Sequence, residues 1–295
     1  MTGMCINSHV EFHRLRAVSC RLTQRTPLVD PDRRLYHAAA RRADMHLAEA
    51  TWTDVRDAAV DVAFVPVGST EQHGPHAPLG TDTLDAVAVA DAGAAAYERG
   101  DGADASAGDA LVTPAIPVGV AEEHRAFDGT MWVSPDTFRA YVREGTASLT
   151  HHGIDRVVFV NGHGGNVEAL AEVARRFSRD DAHDGYAVAF TWFEAVGDHA
   201  SDMGHAGPLE TALLRATNPD LVREDRIDEA RAGAADRWGE WVSGVNLAHD
   251  ADEFTENGVV GDPGTGDAER GERLLELAGD ALGELATAVV ERDTS

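Results

Sequence analysis

From Val62 onward the chain alternates short apolar runs with longer stretches whose small and apolar residues recur at helical spacing. That rhythm predicts βα units on a mostly parallel sheet, an α/β fold. Three units share a layout. The first runs from the strand Val62-Ala63-Phe64-Val65-Pro66-Val67, through a loop at 68–82, into an alanine-rich helix over 83–99. The second runs from Val157-Val158-Phe159-Val160, through Asn161-Gly162-His163-Gly164-Gly165, to a helix for which Asn166 can serve as N-cap. The third leads from Tyr186-Ala187-Val188-Ala189-Phe190, through a loop rich in Asp and His, to a helix around 208–217. Between them the pattern predicts a strand near 111–118 and a helix from about 135 to 152. Ser134-Pro135-Asp136 supplies that helix with a cap and a first-turn proline, and Gly153 stops it. A helix-like segment covers Leu47 to Ala59, and a last long helix, about 267–291, closes the domain. Trp238 and Trp241, three apart, fall on a further predicted helix, where packing is the expected role.

Composition narrows the classes. At 295 residues and 43% hydrophobic content the chain can bury a sizeable core, and no apolar run approaches the roughly 18–20 residues of a membrane span, so a soluble protein is expected. The net charge is -26, and all 25 basic residues are arginine. So acidic a surface repels nucleic acid and anionic membrane, which excludes both as partners. Acidic, alanine-rich and lysine-free together point to adaptation to molar salt, where screening removes the self-repulsion. Cys5 and Cys20 match no zinc or redox spacing, and a cytoplasmic location is the default expectation. Residues 1–44 differ from the rest. Their eight arginines against Glu11, Asp30, Asp32 and Asp44 give about +4, leaving about -30 on residues 45–295. This basic extension is read either as a disordered arm or, preferably, as sequence upstream of a functional start at Met45; residues 45–295 then form one catalytic domain.

The chemistry concentrates in the strand-to-helix loops, and in open α/β sheets ligands collect at the carboxyl ends of the strands. The first loop holds Glu71 and His73, two apart and so pointing the same way in extended chain, with Asp82 after a turn-rich stretch. The second supplies His163 among Gly162, Gly164 and Gly165, glycines that let backbone come close to a ligand. The third carries His205 and is followed by Glu210. Imidazoles and carboxylates without thiolates suit Zn²⁺, Mn²⁺ or Fe²⁺ in an open catalytic site. Two such metals sharing Asp82 would activate a water for attack on a carbonyl or imino carbon, with His205 as general acid for the leaving nitrogen. The glycine-rich loop also fits a phosphate cradle at a helix N-terminus, so a non-catalytic nucleotide-binding protein is the competing class. Convergence of three loops on one edge favours the metal hydrolase. His124 is a candidate substrate contact, His76 lies near the site without being counted a ligand, and His151-His152 suits a helix C-terminus.

Val65-Pro66-Val67-Gly68-Ser69-Thr70-Glu71-Gln72-His73-Gly74-Pro75-His76 with Gly80-Thr81-Asp82 resembles the opening signature of the creatininase (creatinine amidohydrolase) family. Asn161-Gly162-His163-Gly164-Gly165-Asn166 resembles its second signature, and His205-Ala206-Gly207 with Glu210-Thr211 its third. Gly129-Thr130 after His124 and Phe127, and Asn257-Gly258-Val259 with Gly261-Asp262-Pro263, match lesser landmarks, so the resemblance spans about 45–292. It implies a three-layer α/β/α sandwich, two divalent metals per chain, amidohydrolase chemistry and a homo-oligomer, usually a hexamer. Carried onto matching positions, Glu71, Asp82 and His163 hold one metal, His73 and Asp82 the other, and His205 acts in proton transfer. Two departures point away from creatinine. The creatinine-hydrolysing members have a glutamate ligand where this chain has Gly165, and they close on the substrate with tryptophan where residues 198–204 hold no aromatic. The Asn-Gly-His-Gly-Gly-Asn version resembles members that deformylate a pyrimidine intermediate of archaeal flavin and deazaflavin synthesis, and others that trim the mycofactocin precursor peptide. With the salt-adapted composition it implies a haloarchaeal source. Hydrolysis of a small formamide is therefore the leading expectation, with creatinine or peptide cleavage behind it and Gly164, Gly165 and His124 facing the substrate. The lost carboxylate needs a replacement. Glu168 sits on a first helical turn where the dipole already favours it, so Glu210 is the expected third ligand of the second metal.

Overall fold

The computed structural model describes residues 45–100 and 109–293; the basic extension at 1–44 lies outside them. The strands are β1 (Met45–His46), β2 (Val60–Val67), β3 (Asp109–Val112), β4 (Arg156–Asn161) and β5 (Tyr186–Thr191), all parallel, in the order β1-β3-β2-β4-β5. The helices are α1 (Trp52–Asp57), α2 (Thr81–Arg99), α3 (Pro135–His151), α4 (Val167–Phe177), α5 (Trp192–Ala195), α6 (Pro208–Thr217), α7 (Ile227–Ala232) and α8 (Ala268–Val290).

The two-residue period of a strand splits the core into two layers. Val62 and Phe64 of β2 and Val158 and Val160 of β4 face α2, α6 and α8, where they meet Val89, Leu213, Leu274 and Leu282. Val65 and Val67, with Val157 and Phe159, face the opposite way onto Phe138 and Val142 of α3 and Leu170, Val173 and Phe177 of α4. The result is the expected α/β/α sandwich. Burial of side chains such as Leu274 and Leu282, 1% and 0% exposed, stabilises it by ~1.5–3 kcal/mol each. Small residues bring α2 and α8 together: a Cβ on Gly279 would lie 2.8 Å from that of Ala92, and one on Gly283 2.7 Å from that of Ala96. Among the described residues no helix is long and apolar enough to cross a membrane.

Three local expectations change. Leu47–Ala59 is not one helix: Met45 pairs with Leu111 at the sheet edge, and Thr51 then starts α1 through a reciprocal capping box with Asp54. The strand expected over 111–118 ends at Val112, because Pro114 and Pro117 cannot donate to a ladder; beyond it the Thr113 N–H still donates to the Phe64 carbonyl, and Ile116 bridges back to Val67. Trp238 and Trp241 lie on no helix. Ser243 and Gly244, with φ of 52° and 82°, form a tight turn between β6 (Trp241–Val242) and β7 (Val245–Asn246), and that hairpin chemistry overrides the three-residue spacing. What positions the site is register. Val67, Asn161 and Thr191 are neighbours across the sheet, so three loops leave from a single row.

Candidate metal centre

Local turns and hydrogen bonds between loops fix the three together. After β2 the chain crosses the start of α2 so closely that a Cβ on Gly68 would lie 2.4 Å from the Thr83 nitrogen. This places Glu71 and His73 against Asp82, in the first turn of α2. After β4 the Asn161 amide donates to the His163 carbonyl (2.8 Å) and accepts from its N–H (3.2 Å), clamping the turn that presents the imidazole. Asn166 sits at the start of α4, yet its side chain makes no cap bond. Its oxygen instead accepts from the Val120 N–H and its nitrogen donates to the Gly68 carbonyl, each at 3.0 Å, tying three loops together. His205 is held in a two-way backbone bridge with Val260, which explains why the Asn257–Pro263 landmark belongs to the site. The Ala206 N–H donates to Glu210 Oε2 at 2.5 Å and aims that carboxylate inward.

The seven charged or imidazole side chains singled out from the sequence converge. His73 Nε2 lies 3.1 Å from Asp82 Oδ1 and 3.8 Å from Glu210 Oε2. His163 Nδ1 lies 3.2 Å from Glu71 Oε1 and 3.3 Å from Asp82 Oδ2. His124 Nε2 and His205 Nδ1 approach Glu71 Oε1 at 3.3 and 3.7 Å, and their rings stack at 4.3 Å. All seven are buried, whereas Glu168 is exposed outside the centre. His76 lies outside this cluster, its Nε2 pairing with the Thr211 hydroxyl at 3.0 Å.

Backbone carbonyls fix the tautomers. His73 Nδ1–H donates to the Glu71 carbonyl (3.2 Å), His163 Nε2–H to that of Val120 (2.7 Å) and His205 Nε2–H to that of Gln72 (2.6 Å). In a neutral ring the other nitrogen, facing the carboxylates, then offers a lone pair. Both Glu71 carboxylate oxygens, His73 Nε2 and Asp82 Oδ2 are buried without a hydrogen bond. Lone pairs of His73 and His163 thus face those of Glu71 and Asp82 at atoms shielded from solvent, an arrangement that a cation resolves. Three sets have ligand atoms within 4.8 Å of one another: Glu71, His73 and Asp82; His73, His205 and Glu210; and Glu71, His124 and His205. The donors fit one or two divalent metals, and without them protons take the role. Burial alone would lower the His73 imidazole, but Asp82, Glu210 and Glu71 hold it up at about 10. Burial likewise disfavours charge on His163, and Glu71 and Asp82 override it and raise that ring well above its ordinary value. Burial lifts the Glu210 carboxyl to about 7, against the pull of His73.

A cavity of about 420 Å³ opens onto the centre beside Gly164 and Gly165. Four of its neighbours were not foreseen. Trp238 meets the His124 and His205 rings edge-on at 5.5 and 5.9 Å, so it faces the site instead of serving only as packing. Phe193 and Met203 extend the apolar wall, and Glu123 adds a carboxylate. Asp85, three residues after Asp82 on α2, is a fifth missed group. It is fully buried without a hydrogen-bond partner, and burial, then Glu210 and Asp82, raise its carboxyl well above the usual range. The helical spacing from Asp82 was its one signal in the sequence.

A sequence model for creatinine amidohydrolase matches residues 48–286. The chain belongs to the creatininase family. Among curated relatives, the mycofactocin precursor peptide peptidase of Mycolicibacterium smegmatis is 38% identical over 217 residues, 73% of this chain and 80% of the relative. The peptidase of the same name from Mycobacterium ulcerans is 36% identical over 225 residues, 76% of this chain and 84% of its own. A creatinine amidohydrolase of Pseudomonas putida is 30% identical over 61% of this chain and 75% of that protein. A solved creatinine amidohydrolase superimposes with a TM-score of 0.68 at 25% identity, covering 84% of this chain and 99% of the other. A structure described as "Creatininase Mn" shares the fold at the same TM-score, 0.68, and 23% identity.

Proposed function

We propose that this creatininase-family amidohydrolase is a two-metal enzyme that hydrolyses an amide C–N bond, with a peptide amide as the favoured substrate. The reading rests on the buried Glu71, His73 and Asp82 atoms that no hydrogen bond satisfies. Glu71, Asp82 and His163 would hold one divalent metal; His73, Asp82 and Glu210 would hold the other. A metal bound there supplies Lewis acidity toward a carbonyl and toward water. The remaining tasks fall to the chain. His205 turns its Nδ1 lone pair inward and can take there the proton that the attacking water gives up and deliver it to the leaving nitrogen. Gly164, where a Cβ would meet nothing within 4 Å, leaves the cavity floor open to substrate, and Trp238, Phe193 and Met203 offer an apolar wall to a side chain beside the scissile bond.

Two observations favour peptide over creatinine. The relatives of 36–38% identity bear the peptidase name. A glutamate at Gly165 has no room either, since a Cβ there would lie 2.2 Å from the Val120 oxygen and 2.5 Å from His163 Nε2. Formamide hydrolysis, expected first from the Asn-Gly-His-Gly-Gly-Asn loop, is the second reading. A nucleotide-binding role is disfavoured by charge, because Glu123 Oε1 stands 2.9 Å from where a Gly165 Cβ would project, and Glu71 and Asp82 lie behind it. Purified protein tested on a peptide, a formamidopyrimidine and creatinine, scored for a released residue, formate and creatine, separates the readings. Release of a peptide residue that stops on chelation supports the proposal; formate or creatine as the sole product overturns the substrate, and no metal-dependent hydrolysis overturns the class.

A further inference from the structure

His124 is the imidazole of the centre whose carboxylate-facing nitrogen has the opposite hydrogen-bonding sense to those of His73, His163 and His205. Its Nδ1 lies 2.8 Å from Gln72 Nε2. The orientation of the Gln72 amide is fixed from both ends: its oxygen accepts from the Gly74 N–H at 2.9 Å, and its nitrogen donates to the Gly258 carbonyl at 3.0 Å. A flipped amide would set NH₂ against N–H and oxygen against oxygen, so Nε2 is the donor to His124. Gly258 makes this possible, because its φ is +83° and a Cβ there would lie 1.9 Å from Gln72 Oε1. A neutral imidazole that accepts at Nδ1 carries its proton on Nε2, 3.3 Å from Glu71 Oε1, an oxygen that no hydrogen bond satisfies, so the N–H remains free to donate.

Gln72 also sets the neighbouring ring. Its carbonyl takes the Nε2–H of His205, leaving the Nδ1 lone pair of that ring toward the site. One residue therefore gives the two stacked imidazoles opposite senses, a donor on His124 and an acceptor on His205. An amide has the complementary pair, a carbonyl oxygen that accepts and a nitrogen that must gain a proton to leave.

We propose that His124 is a hydrogen-bond donor to the carbonyl oxygen of the scissile amide and not a metal ligand, with Gln72 as the positioning residue that locks its tautomer. The proposal rests on the amidohydrolase reading for its substrate but not for its tautomer. It removes Glu71, His124 and His205 from the possible metal sites, since an N–H stands where a ligand needs a lone pair.

The test uses the full chain loaded with Zn²⁺. ¹⁵N–¹H spectra of histidine-labelled protein, with His124 identified by its loss in His124→Gln, should show the proton on Nε2 alone; a proton on Nδ1 overturns the assignment. Zn²⁺ stoichiometry should be the same in His124→Gln as in wild type, and loss of one Zn²⁺ per chain would make His124 a ligand. On the hydrolysed peptide, His124→Phe should lower kcat by ~10²–10³ with a smaller change in KM, and His124→Gln, which keeps an N–H donor, should recover part of it. In Gln72→Leu the proton should spread to Nδ1 and kcat should fall; an unchanged tautomer removes Gln72 from the role. Failure of wild type to hydrolyse any amide would sink the functional reading, while the spectra and the Zn²⁺ count would still decide the donor assignment.

Discussion

Replacing Glu210 by Gln tests the second metal site most sharply. Glu210 is 5% exposed, and its Oε2 accepts from the Ala206 N–H at 2.5 Å, a bond that a glutamine oxygen can keep. The fold should therefore survive, while the charge 3.8 Å from His73 Nε2 disappears. Loss of a group that merely supports a ligand costs about 10–100-fold in metal affinity, and a direct ligand costs at least as much. With free metal at ~100 times the wild-type Kd, the intact site adds ~2.7 kcal/mol to stability, and a site weakened ~100-fold adds only ~0.4 kcal/mol. The difference of ~2.3 kcal/mol corresponds to a fall of about 5–9 °C in metal-saturated Tm for a domain of this size. The metal-free Tm should not fall, because burial already disfavours the Glu210 charge and lifts its carboxyl to about 7, against the pull of His73. Thermal melts with and without metal, beside elemental analysis of the dialysed protein, read both effects. Glu168→Gln, at an exposed position, is the control and should change neither. Unaltered metal content in Glu210→Gln, or a loss in Glu168→Gln, would refute the ligand assignment.

His163→Ala removes the nitrogen between Glu71 and Asp82 and should lower activity more than ~100-fold with a matching loss of metal, so wild-type turnover would contradict the assignment. The net charge of -26 should make Tm and oligomer size rise from dilute buffer to molar KCl, as the Debye length contracts from ~30 to ~3 Å; a flat melting curve series rules this out. A chain beginning at Met45 keeps β1 and its pairing with Leu111, and should match the full chain in Tm and activity; a clear loss would assign residues 1–44 a structural role.

What the sequence made legible was local and repeated. Each strand that ends at the site is a run of apolar residues, and each loop behind it carries its candidate ligands within a short stretch of chain, so Glu71, His73, Asp82, His163, His205 and Glu210 are gathered at one edge by the sequence pattern alone. The helices covering the sheet were readable for the same reason, with Ser134 and Pro135 marking the start of α3. What stayed hidden depends on contacts far apart in the chain. Gln72 meets Gly258 across 186 residues, and Trp238 reaches the stacked imidazoles from beside a hairpin that its spacing to Trp241 disguised as a helix. Asn166 shows the same limit: a good cap by type, it spends its amide on Val120 and Gly68 because their unpaired backbone groups lie within reach. Proline outweighed β-propensity after Val112, where an apolar run alone suggested a longer strand.

The central claim, a two-metal amide hydrolase built on Glu71, His73, Asp82, His163 and Glu210, is tested most directly by titrating metal back into chelated protein while following amide hydrolysis. No activity at zero metal and a rise that levels at about two equivalents of Zn²⁺, Mn²⁺ or Fe²⁺ per chain is the predicted result. Full hydrolysis by the chelated protein would contradict it.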